Sequence, residues 1–77
     1  MARYEVRLVT EAKRRRDNLP RPARQTYDRL VRALEADPFQ GEKGRDGSWT
    51  ITSGGVIVSY VISKTIITVT VLRVVAI

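Results

Sequence analysis

Residues 56–77 read VIVSYVISKTIITVTVLRVVAI, and this stretch decides the fold. Fifteen of its 22 residues are Val, Ile or Thr, and it holds no acid and only two bases, Lys64 and Arg73. β-branched side chains are stiff at χ1 and pack well on a pleated surface, so the stretch predicts strands. A membrane-spanning helix is disfavoured by Lys64 near the centre and by the scarcity of Leu and Ala. Two strands are expected instead, residues 56–62 and 65–75, with a turn at Ser63-Lys64. In the first, Val56, Val58, Tyr60 and Ile62 form an apolar face, and Ile57, Ser59 and Val61 a mixed one. Gly54-Gly55 is a two-residue hairpin signal. It joins this strand to residues 48–53, with Trp49 and Ile51 inward and Thr50 and Thr52 outward.

Upstream the character changes. All eight acids and twelve of the fourteen bases lie in residues 1–46. Residues 3–9 alternate, Tyr4, Val6 and Leu8 against Arg3, Glu5 and Arg7, which predicts a half-buried strand. Thr10 is then expected to cap a short helix, with Glu11 in its first turn and a stop at Asn18-Leu19-Pro20. The run Lys13, Arg14, Arg15, Arg16 wraps round that helix, so at least two of the four face solvent or a ligand. In a second helix, Pro22 sits in the first turn and Ala23, Tyr27, Leu30, Val31 and Leu34 make a core-facing stripe. Arg24, Asp28, Arg29, Arg32 and Glu35 lie opposite, Asp28 and Arg32 being spaced as an ion pair, and Asp37-Pro38 ends the helix. Residues 39–47, with Gly41, Gly44 and Gly47, read as a loop.

The expected fold is α+β, in the order β-α-α-β-β-β, over one domain of residues 1–77. A helical hairpin covers one face of a four-stranded, mainly antiparallel sheet. The other face is left open and would carry Arg3, Glu5, Arg7, Thr50, Thr52, Ile57, Ser59 and Val61.

Composition narrows the chemistry. A chain of 77 residues buries a modest core, so a permanent partner is a natural expectation. The absence of cysteine fits a reducing cytoplasm, and the N-terminal residues show no secretory apolar region. A net charge of +6 favours polyanionic partners or an acidic protein. Without His or Cys, the usual transition-metal ligands and the Ser-His and Cys-His nucleophile pairs are missing, and the three loop glycines do not form a phosphate-binding loop. No metal and no cofactor are expected. The remaining Lys, Arg, Tyr, Asp and Glu suit one reaction, cleavage of RNA by its own 2′-hydroxyl. Arg73, a charge interrupting an apolar strand, is a weak candidate for a functional contact. Arg14, Arg15, Arg16, Lys43 and Arg45 are candidate phosphate contacts, and Ile57 and Val61 candidate partner contacts. Trp49, Tyr27 and Tyr60 read as core.

Several motifs in order resemble the RelE/ParE toxin superfamily over nearly the whole chain. The opening Y-x-V-x-L-x-x-x-A is Tyr4, Val6, Leu8 and Ala12, and N-L-P is Asn18, Leu19 and Pro20. L-x-x-D-P is Leu34, Asp37 and Pro38, V-x-Y-x-I is Val58, Tyr60 and Ile62, and V-x-V-L-x-V is Val69, Val71, Leu72 and Val74. The resemblance implies the toxin of a type II toxin–antitoxin pair, held inactive by a cognate antitoxin. RelE-like members cleave mRNA on the ribosome, whereas ParE-like members poison DNA gyrase. The G-x-Y-R-x-x-Y hairpin of RelE-like nucleases has Ile57 here in the arginine's place, so the resemblance leaves the loop bases Lys43 and Arg45, with Arg73, as weak catalytic candidates. The alternative is a non-catalytic binding protein of the same fold, a degenerate toxin or a gyrase inhibitor. By either reading, a partner segment is expected to cover the open face and the apolar end Val74, Val75, Ala76 and Ile77, and no membrane is involved.

Overall fold

The computed structural model describes residues 3–77. The chain runs β1 (Glu5–Leu8), α1 (Thr10–Asp17), α2 (Arg21–Ala36), a 3-10 turn (Pro38–Gln40), β2 (Glu42–Lys43), β3 (Trp49–Ser53), β4 (Val56–Ser63) and β5 (Thr68–Ala76). The sheet order is β1-β5-β4-β3-β2, with β1 parallel to β5 and the other pairs antiparallel. The helices cover one face, as expected. The strand count is five rather than four, because β2 lies inside the stretch read as a loop. It pairs Glu42 with Thr50 and Lys43 with Trp49, and Gly44 N–H closes the connection on Ser48 O at 2.7 Å.

The core joins Ala12, Tyr27, Leu30 and Leu34 of the helices to Val56, Val58, Tyr60, Val69, Val71 and Val74 of the two central strands. Ala23, Val31, Trp49 and Ile51 pack at its margin. The β3–β4 hairpin turns at Gly54 and Gly55, both at positive φ (54° and 80°), the backbone that a two-residue turn requires and that glycine adopts without strain.

Four local expectations are corrected. Val9, not Thr10, is the N-cap, with no side-chain cap, because Val9 N–H still donates to Val71 O at 3.0 Å and the chain passes from sheet to helix in one residue. Asp28 pairs with Arg24 at 3.5 Å rather than with Arg32, since helical side chains lean toward the N-terminus and carry its carboxylate back one turn. The β4–β5 connection takes residues 64–67 instead of two, leaving Ile66 and Ile67 exposed. Arg3 lies ahead of β1 rather than within it.

The most consequential departure is a bulge in β5. Tyr60 pairs with Val71 but Ser59 with Arg73, so Leu72 is an extra residue. Unbroken alternation would carry the inward set from Val69 and Val71 to Arg73. The bulge resets the phase, sends Val74 into the core and puts Arg73 in solvent.

Candidate functional site

Register assembles the open face as three rows of neighbours. Thr50, Ser59 and Arg73 align across β3, β4 and β5; Thr52, Ile57 and Val75 form the next row; Val61, Thr70 and Arg7 form the third. Pairing sets these contacts because cross-strand neighbours stand about 5 Å apart on one face. Two guanidiniums therefore flank a strip of hydroxyls, with an apolar patch alongside. Arg73 is three residues beyond Thr70, the partner of Arg7, so the two backbones lie roughly 10 Å apart along the strand direction. Arg7 donates from Nε to Glu5 Oε1 at 3.0 Å, but both side chains are well exposed and such a pair is readily exchanged for a ligand anion.

The sequence-derived candidates divide among several places. Ile57 and Val61 stand half-buried on the open face, and Arg73 joins them there through the bulge. Lys43 pairs with Trp49 at the β2 edge, on the helix-side phase of the sheet. Arg45 is in the exposed turn before Ser48. β2 and β5 are separated by two strands, about 14 Å at the usual spacing, so Lys43, Arg45 and Arg73 do not converge. The α1 run lies on the helical side. Arg14 and Arg15 both approach Glu11 at 3.7 Å, whereas Arg16 meets Asp17 at 3.0 Å and is largely covered. Arg7 and Phe39 were not singled out as site residues. Phe39 is 41 % exposed, sits edge-on to Tyr4 and Trp49, and has Lys64 Nζ 5.4 Å from its ring centre. An aromatic directly after Pro38, at the end of the helical pattern, was the available signal.

Tyr60 belongs to the frame. Its hydroxyl is buried, donates to Pro38 O at 2.7 Å, and its pKa is pushed up by burial, with the Gly41 backbone amide opposing. Tyr27 is likewise pushed up by burial, the Arg16 charge partly offsetting it. In the β2–β3 turn, Asp46 accepts from Ser48 Oγ at 2.7 Å and from Ser48 N–H at 3.0 Å, and these bonds hold its carboxyl below the usual range. The open face itself offers guanidiniums and hydroxyls for holding a phosphodiester, and its carboxylates are Glu5, tied to Arg7, and Glu42 at the β2 edge.

No family model and no curated protein sequence matches the chain. Solved structures do. The toxin–antitoxin complex RelBE2 of Mycobacterium tuberculosis superposes with a TM-score of 0.91 at 26% identity, over 99% of this chain and 100% of that one. The fold is that of the RelE toxins. An archaeal RelE from Pyrococcus horikoshii, solved with RelB, matches at 0.78 and 15% identity over 95% of this chain and 93% of that one. The isolated E. coli RelE matches at 0.76 and 20%, over 95% and 83%. The resemblance carried by the ordered motifs is borne out. Among the described residues no helix is long and apolar enough to cross a membrane.

Proposed function

We propose that this chain is the toxin of a type II toxin–antitoxin pair and acts on translation in the cytoplasm by engaging mRNA on the ribosome. The observation that carries this reading is the end-to-end match with a RelE solved as a toxin–antitoxin complex. The open face supplies the chemistry. Arg73 and Arg7 hold backbone phosphates, and Ser59, Thr70 and Thr50 donate to their oxygens. In cleavage, the RNA's 2′-hydroxyl loses its proton to solvent and attacks the adjacent phosphorus. The bond to the 5′-oxygen breaks, leaving a 2′,3′-cyclic phosphate and a 5′-hydroxyl that takes its proton from solvent. Arg73 stabilises the charge that develops on the phosphoryl oxygens. Lys43, Arg45 and Arg14–Arg16 give outlying phosphate contacts that add affinity without sequence preference. A cognate antitoxin covers the open face, with Ile57 and Val61 as apolar contacts.

The second reading is the same fold without ribonuclease activity, as a degenerate toxin or a ParE-like gyrase inhibitor. It is favoured by Ile57, which with its neighbour Val75 is apolar where a nuclease of this kind carries arginine. Inducible expression without antitoxin tests both. Arrest of protein synthesis with mRNA cut on purified ribosomes supports the first. Inhibited supercoiling with intact mRNA supports the second, and unimpaired growth at verified expression refutes both.

A further inference from the structure

The outer edge of β3 is only half paired. β3 runs to Ser53, but its pairing with β2 stops where Glu42 meets Thr50. The residues before Glu42 are committed to the 3-10 turn, where Gln40 Nε2 donates to Ala33 O at 2.9 Å and Asp37 O at 2.8 Å. Phase decides which groups are left. Gly54-Gly55 is a two-residue turn, so Ser53 and Val56 exchange backbone hydrogen bonds, and by alternation Ile51 and Trp49 also bond to β4. The bond from Gly44 N–H to Ser48 O sets the same phase from the other side. Thr50 and Thr52 therefore direct their N–H and C=O groups outward. Those of Thr50 are met by Glu42, and those of Thr52 face no strand among the described residues.

A cleft of about 270 Å³ opens at this edge, lined by Gln40, Gly41, Glu42, Thr50, Ile51 and Thr52. Glu42 and Thr52 are exposed, and Glu42 shares the open-face phase of its partner Thr50. Its carboxylate pairs with no cation among the described residues. Gln40 uses both amide hydrogens in its own turn and adds no donor. Along the edge the order is Glu42 carboxylate, Thr52 N–H, Thr52 C=O, which is acceptor, donor, acceptor.

That order discriminates among bases. Adenine sets N6–H against the carboxylate and N1, or N7, against Thr52 N–H, and no carbonyl opposes the protein. Cytosine makes the first two contacts but turns O2 toward Thr52 C=O. On their Watson–Crick edges guanine and uracil bring a carbonyl to the carboxylate or an N–H to an N–H. Guanine N2–H and N3 have the right order but lie beside the ribose. The cleft adjoins Thr50, the first member of the row Thr50, Ser59, Arg73. Arg73 is two strands away, about 10 Å, so a nucleotide whose phosphate lies over that row brings its base to the β3 edge.

We propose that this cleft is a base subsite selecting adenine, with the Thr52 backbone and the Glu42 carboxylate as its specificity-determining groups. The subsite rests on the RNA reading of the open face and adds a sequence preference that phosphate contacts do not supply.

The test titrates the isotope-labelled full chain with RNA trinucleotides, a central A, G, C or U between two uridines. Central adenine should bind about tenfold or more tighter than the others, with a displaced Thr52 amide resonance. N6,N6-dimethyladenine, which has no N6–H, should lose that advantage. Glu42→Gln, whose amide can donate to O6 while Thr52 N–H meets N7, should admit guanine about as well as adenine. Thr52→Pro removes the outward N–H without breaking a bond to β4, and should erase the preference while circular dichroism shows the fold intact. Equal binding of all four centres, dimethyladenine bound as tightly as adenine, or a preference untouched by Glu42→Gln would overturn the proposal. No displacement at Thr52 with any trinucleotide up to about 1 mM would overturn it too. Growth inhibition is read separately: a toxic protein without base preference refutes the subsite alone, and a harmless one that selects adenine refutes the toxin reading alone.

Discussion

Replacing Tyr60 by Phe separates a structural hydroxyl from a functional one. Tyr60 is 0 % exposed, and its hydroxyl donates to Pro38 O at 2.7 Å, fastening β4 to the turn that follows α2. The ring's stack on Trp49, 6.4 Å between centres at 21°, does not involve the hydroxyl and survives the change. What is lost is one buried hydrogen bond, leaving the Pro38 carbonyl without that donor, which costs about 1–3 kcal/mol. For 77 residues the unfolding entropy is about 160 cal/mol/K near the midpoint, so Tm should fall by about 6–19 °C.

The pH dependence carries a sign. Burial raises the folded-state pKa of Tyr60, with Asp37 adding to the rise and the Gly41 amide opposing it. Its contribution to stability is therefore complete below the unfolded value near 10 and is lost as pH climbs through and beyond it. Urea denaturation of wild type and Tyr60→Phe between neutral pH and about pH 11 should show the variant less stable at neutrality but with a shallower alkaline decline. Tyr27 remains to supply the rest of that decline. A Tyr60→Phe protein as stable as wild type but unable to arrest growth would refute the structural assignment and move the hydroxyl into the working site.

Tyr27 makes a contrast, because its buried hydroxyl has no hydrogen-bond partner among the described residues: Tyr27→Phe should be neutral or stabilising by up to about 1 kcal/mol in the same urea titrations. Ser48→Ala should raise the Asp46 carboxyl toward the ordinary aspartate value, followed by NMR titration; because the folded pKa is depressed, the contribution it removes is one present above the unfolded pKa and lost as pH falls through the folded one. Ile57→Asp and Val61→Asp, half-buried on the open face outside the core cluster, should leave folding intact by circular dichroism and weaken antitoxin binding at least about tenfold; unchanged affinity would place that contact elsewhere.

The elements that could be read from sequence are those whose signal is local. Alternation in residues 56–62, the Gly54-Gly55 turn and the helical stripe through Tyr27, Leu30 and Leu34 each reflect a single period, and each appears where expected. β2 escaped because two charged edge residues, Glu42 and Lys43, carry no hydrophobic pattern. The bulge at Leu72 escaped because period-two reasoning assumes unbroken phase, under which Arg73 becomes an intrusion into the core. The open-face residues of β3 and β4 were legible on the same alternation. Their alignment with Arg73, and the separation of Lys43 from it, depend on register, which is a property of pairs of strands rather than of either alone.

That register places Arg73 in two settings at once. It ends the row Thr50, Ser59, Arg73 on the open face and also lines the cleft between α1 and β5. A bulge achieves this by bending the strand and turning successive side chains away from strict alternation. An RNA phosphate and an antitoxin carboxylate would compete for the same guanidinium. Inhibition would then not require the antitoxin to fill the whole open face: one carboxylate reaching Arg73 would withdraw it from the hydroxyl row. Covering Ile57 and Val61 would add affinity and shield apolar surface, while the contact to Arg73 would supply the direct antagonism.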